Sequence, residues 1–178
     1  SLAMPESMMQ PDLQDVVTPN GVQAAALARW QERGWPGAKD EAWRFTRLSA
    51  LDKLSLRPAD ASLANGAGDV PTHTLPAGTH VIHFHNGVLV GDSIENMPKG
   101  IKARACDEDD LGTIVDLAPA NHPVTDLSVA AMTSGLSVDV AAGAKVTAPI
   151  ILMFTGNSCS VSTHPVVLLR VGKGAQAV

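Results

Sequence analysis

Three histidines fall within the stretch HVIHFHNGV, at His80, His83 and His85. On an extended strand, side chains two apart share a face, so His83 and His85 could present two imidazoles to one metal ion. A cupin-type metal site would need a glutamate four or five residues beyond the second histidine. The first acids at hand are Asp92 and Glu95. That spacing fails, and the pair is expected to be solvent-facing histidines on a strand, with no metal site. Cys106 and Cys159 are 53 positions apart without CxxC spacing. A nucleophilic thiolate needs a neighbouring base or a helix terminus, and neither cysteine has one nearby in the sequence. His164, five residues beyond Cys159, is separated from it by a strand and a turn, so the two are expected to be chance neighbours. No catalytic residue and no resident cofactor is expected. The chain has no GxxxxGK[ST] phosphate loop, and the acidic run Asp107–Asp110 lacks the alternating ligands and glycine of a calcium loop. It is expected to be a solvated turn or helix start.

Three tryptophans, Trp30, Trp35 and Trp43, lie close together in a basic segment. Trp30 and Trp43 are expected to pack against each other or on the same apolar face, leaving Trp35 as an exposed anchor for a protein partner. With three Phe, three Trp and no Tyr in 178 residues, aromatic stacking platforms for nucleic acid are not expected. The net charge of -5 divides unevenly. Residues 18–57 carry seven basic and four acidic side chains, and residues 58–139 carry three and eleven. No apolar run reaches the roughly 20 residues of a membrane span. Together with unpaired cysteines and no secretory pattern, this points to a cytoplasmic chain without a membrane or nucleic-acid partner.

The elements that must position these residues follow from periodicity. Residues 1–17 have no pattern and read as a disordered lead or cloning remnant. Residues 18–56 form a helical amino-terminal region: Thr18–Pro19 suits a helix start, Val22, Ala26, Leu27 and Trp30 lie on one face, and Gly34 with Pro36 ends the helix. Residues 57–79 are rich in Ala, Gly, Pro and Asp and read as a linker. Residues 80–126 hold a hairpin about Asn86–Gly87 and then irregular connection, with a short helix near Asp107. Residues 127–178 repeat a pattern at an offset of 31: Leu136, Val138, Val140, Gly143 and Ala144 recur as Val167, Leu169, Val171, Gly174 and Ala175. Such a repeat suggests stacked coils, with Val138 in line with Leu169 and Gly143 above Gly174.

The segment RGWPGAKDEAWRFTRLSAL resembles the amino-terminal signature of the SufB/SufD family, at Gly34, Pro36, Glu41, Trp43, Phe45, Thr46 and Leu48. Phe45 stands where that family often has tyrosine. The segment HFHNGVLVGDSIENMPKG is similar to the family's strand and turn, at Asn86, Gly87, Ser93, Pro98 and Gly100, and residues 126–152 resemble the opening of its strand repeat. The matches favour SufD over SufB. The resemblance implies a mainly β fold with an α-helical amino-terminal region and the start of a right-handed parallel β-helix, truncated after Val178. It also implies a non-catalytic scaffold subunit of the SufBCD complex, with SufB and SufC as partners and the iron-sulfur cluster handled by the whole complex. The part that engages SufC is expected to be missing, and the fragment is expected to self-associate through its exposed strand edge. The rival expectation is a small metal-dependent, cupin-like β-barrel enzyme using His83 and His85.

Overall fold

The structure is a computed structural model that describes residues 21–37, 40–46, 48, 50–51, 54, 56–68, 75–119 and 122–178. The lead and the Thr18–Pro19 helix start lie outside the described residues. Helix α1, Gly21–Arg33, is built from strong helix formers around an apolar stripe and buries Ala26 and Trp30. It ends as its sequence requires. The Gly34 N–H donates to the Trp30 carbonyl at 2.7 Å, with Gly34 in the left-handed region at φ +66°.

Residues 101–126, expected to be irregular connection with a short helix near Asp107, and residues 127–130, expected to begin the coils, hold a strand and two helices. Strand β4 is Ile101–Ala105, helix α2 is Glu108–Leu117 and helix α3 is Pro123–Ala130. Asp107 caps α2: its carboxylate accepts from the Asp110 N–H at 3.0 Å, and Asp110 accepts from the Asp107 N–H at 3.1 Å. Pro123 opens α3, where a missing N–H costs nothing. Helix α1 lies on α3, with Trp30, Leu127 and Ala131 in one cluster and Ala26, Val129 and Ala130 in another. Gln23 Nε2 donates to the carbonyls of Val129 (3.2 Å) and Met132 (3.0 Å), at and just past the end of α3. The tryptophans pair differently from expectation. Trp30 meets Trp35 edge-on at 4.9 Å, and Trp43 packs beside His122 at 5.4 Å. Trp35 is therefore part of the helical core.

The remaining strands are β1 (Arg57–Pro58), β2 (His80–His85), β3 (Val88–Leu89), β5 (Gly135–Val140), β6 (Ile150–Thr155), β7 (Val161–Ser162) and β8 (Val166–Val171). Part of the segment read as a linker is thus paired, since β1 runs parallel to β7. The hairpin about Asn86–Gly87 forms, with Phe84 opposite Leu89 and His85 opposite Val88. β6 joins its other side in parallel, and β5 lies between antiparallel β4 and parallel β8. The 31-residue register is present, because Val138 pairs with Leu169, and Gly143 and Gly174 turn at φ +70° and +71°.

The fold class drawn from that register is corrected. Among the described residues, helix contributes 30% and strand 26%, and the strands divide among small separate sheets of two or three. The molecule is mixed α and β, not a mainly β parallel β-helix. The reason lies in residues 101–130, where an acidic capping box and an N1 proline make helix between the strands. The strand core contains Ile82, Phe84, Ile101, Leu136, Val138, Val140 and Val146. Among the described residues, no helix is long and apolar enough to cross a membrane.

Candidate functional site

β2 is covered on both faces, and this decides the histidines. Ile82 and Phe84 enter the strand core on one side. On the other, His83 and His85 are each only 5% exposed, which corrects the expectation that they face solvent. Their rings lie 5.9 Å apart. Both converge on one hydroxyl from β6, with His83 Nε2 at 2.6 Å and His85 Nδ1 at 2.8 Å from Thr155 Oγ1. A hydroxyl has one proton and two lone pairs, so it can donate to one ring and accept from the other. His85 Nε2 is buried without a partner. The His83 pKa is lowered, first by burial and then by the neighbouring His85, against the pull of Asp92. The lowered pKa favours the neutral His83 ring, which shares the Thr155 hydroxyl with His85.

The threonine hydroxyl engages one nitrogen of each ring, His83 Nε2 and His85 Nδ1. No group of three or more His, Cys, Asp or Glu is placed to hold a metal ion among the described residues. His80 begins β2, where its N–H donates to the Pro149 carbonyl at 2.8 Å.

The turn after His85 is a second joint. Asn86 and Gly87 take φ +50° and +79°. The Asn86 Oδ1 accepts from the N–H groups of Asn157 (2.9 Å) and Ser158 (3.1 Å), while its Nδ2 donates to the Leu63 carbonyl (3.2 Å) and Asn157 Oδ1 (3.0 Å). A Cβ on Gly87 would come within 2.6 Å of Thr163 Cβ. Asn-Gly is therefore required here by more than the turn.

Asp110 forms a third joint that the sequence reading missed. It is 1% exposed, and Arg104 grips it from β4 at 2.5 and 3.1 Å. Arg170 reaches it from β8 at 2.7 Å while donating to Ser137 Oγ at 2.9 Å. Burial alone would raise the Asp110 pKa, but the two guanidiniums and the Asp107 N–H hold it well below the usual carboxylate range. The spacing Asp107-x-x-Asp110 signalled a cap. Nothing local signalled Arg170, which lies 60 positions away.

Cys106 is half-buried beside Gly135, and burial, aided by Asp110, pushes its thiol up to about 11. Cys159 is exposed. His164 has its Nε2 buried and unpartnered, and burial lowers its pKa to about 4. Of the remaining motif positions, Pro36 is buried and Glu41 pairs with Arg44 at 3.1 Å. Phe45 is exposed beneath the Arg44 guanidinium, and the Thr46 N–H donates to the Trp43 carbonyl at 2.8 Å. No family model matches the chain, and no curated protein matches it.

Proposed function

We propose that the chain is a non-catalytic scaffold subunit of an iron-sulfur cluster assembly complex, similar in role to SufD and acting beside SufB and SufC. The observation that supports this reading best is the state of His83 and His85: the one constellation suited to chemistry is buried and tied to Thr155. The motif positions Asn86 and Gly87 serve in the same way, as joints between segments distant in sequence. Side chains committed to holding a shape suit a protein whose work is to present surfaces. The cluster belongs to the assembled complex and not to a pocket of this chain.

Co-expression of the tagged chain with SufB and SufC tests the proposal. Retention of SufB through a salt wash is expected, and recovery of the folded chain without either partner overturns it. The cupin-like enzyme makes a different demand. Protein purified without immobilised nickel would carry about one zinc or iron, lost on His83→Gln with His85→Gln. The scaffold reading expects the same metal content before and after that double substitution.

A further inference from the structure

The dipeptide Asn-Gly occurs three times, at Asn20–Gly21, Asn65–Gly66 and Asn86–Gly87. It is the asparagine pairing most open to attack by the chain on itself, because glycine has no side chain to hinder its own nitrogen or to restrict its rotation. Asn20 lies outside the described residues. The other two stand in opposite surroundings. Asn65 follows the short helical turn Ala61–Ala64 and is exposed. Its backbone N–H donates to the Ser62 carbonyl at 3.1 Å, and among the described residues nothing bonds its side chain. A Cβ on Gly66 would meet nothing within 4 Å, so the peptide there has room to turn. Asn86 is 4% exposed, and its side chain makes four hydrogen bonds.

We propose that Asn65–Gly66 is a site of spontaneous deamidation in the folded protein, and that the fold guards Asn86–Gly87 from the same reaction. The inference is independent of the scaffold reading. The Gly66 nitrogen, its proton lost to solvent base, attacks Asn65 Cγ. The new C–N bond closes a five-membered imide, and the Cγ–Nδ2 bond breaks to release Nδ2 as ammonia. Water then opens the imide at one of its two carbonyls. Addition at Cγ leaves aspartate, and addition at the backbone carbonyl leaves isoaspartate, with an extra methylene in the main chain. Nothing is oxidised or reduced. In sum a water is consumed, an ammonia is released and a negative charge is gained.

At Asn86 the joint already described stands in the way. Its Oδ1 is held by the N–H groups of Asn157 and Ser158, and its Nδ2 by the Leu63 carbonyl and Asn157 Oδ1. A carboxamide fixed to three distant residues must give up these bonds before it can swing onto the Gly87 nitrogen. Asn86 therefore reacts only through opening of the β2–β3 turn, and the change is then permanent. A carboxylate in its place would set an oxygen against the Leu63 carbonyl, which can only accept. A molecule that has once opened is marked and remakes the joint incompletely.

Peptide mapping by mass spectrometry of the full chain, held in mildly alkaline buffer, reads each site separately. In the folded chain, deamidation at Asn65 is expected to run at least about tenfold faster than at Asn86, whose rate is scaled down by the small open population. In urea that unfolds the chain, the two rates should agree within about twofold, since both pairs are then exposed. Asn65→Gln would have to close a six-membered ring, so it should abolish the mass gain of the peptide holding position 65 and leave both the thermal melt and the rate at Asn86 unchanged. Asn157→Ala removes one acceptor from Asn86 Nδ2 and should speed position 86 by about 2–10-fold without changing position 65. Equal rates at the two sites in the folded chain overturn the proposal, as does an inert Asn65. A slow Asn86 in urea also overturns it, because the fold would then not be the guard. The urea comparison needs no variant, so it decides even where Asn157→Ala fails to fold.

Discussion

Thr155 shows how a single hydroxyl can fix the state of two neighbouring residues. Thr155→Val keeps its shape and removes the group that satisfies His83 Nε2 and His85 Nδ1, leaving buried ring nitrogens without partners. A loss of about 1–3 kcal/mol is expected in urea unfolding, and a neutral result would show that the bonds carry no stability. The histidines also set an acid limit. His83 and His164 both have lowered pKa values, His164 from 6.5 to about 4, so the fold favours the neutral rings. Below pH 6.5 the unfolded chain takes up protons that the folded chain refuses. Stability is therefore full above that pH and falls as pH drops towards 4, by about 3 kcal/mol from His164 alone. Unfolding midpoints at pH 7, 5.5 and 4.5 should decline in the wild type and flatten in His164→Gln; parallel curves would contradict the assignment. The sequence showed which residues could do chemistry, but alternation along HVIHFH cannot tell whether the histidine face is covered. Ser93 covers part of it, with its Oγ accepting from the His83 N–H at 3.0 Å, in a short turn ten residues later.

At the scale of elements, the parallel pairing of β5 with β8 depends on close backbone approach just past the strands. A Cβ on Gly172 would stand 2.5 Å from Ala142 N and 2.9 Å from the Val140 carbonyl oxygen. Backbone atoms cannot yield as a flexible side chain does. Gly172→Ala is thus expected to cost about 1–3 kcal/mol and to loosen β8 first, seen as faster amide exchange over Val166–Val171 than over β2. Uniform loss of protection would place the strain elsewhere. The hairpin, the closing glycine of α1 and the 31-residue register were legible because each has a local signature. β4 was not, since Lys102 and Arg104 alternate with only Ile101 and two alanines. α3 was hidden for the opposite reason, because a proline that usually breaks helices stands at the position where helices accept it.

Among the described residues the buried apolar side chains form one cluster among the strands and two among the helices, and Asp110 ties α2 to β4 and β8. Trp30→Ala should remove about 3–5 kcal/mol from the helical part, and α1 and α3 should lose exchange protection together before β2 and β5 do. Simultaneous loss everywhere would mean a single cooperative core. The expected partnership of Trp30 with Trp43 failed because spacing along a helix gives the face of a residue and not what arrives from beyond the corner. The strand pairing has a further effect, on synthesis. Consecutive strands β5, β6 and β7 each enter a different sheet, and β6 and β7 pair with β2 and β1, made much earlier. His80 leaves the ribosome 70 residues ahead of its partner Ile150. At roughly 5–20 residues per second, that apolar strand waits about 4–14 s with its parallel edge bare. The nascent chain is therefore most prone to aggregate while residues 86–149 are being made, and the speed of translation through that stretch should govern the yield of folded protein.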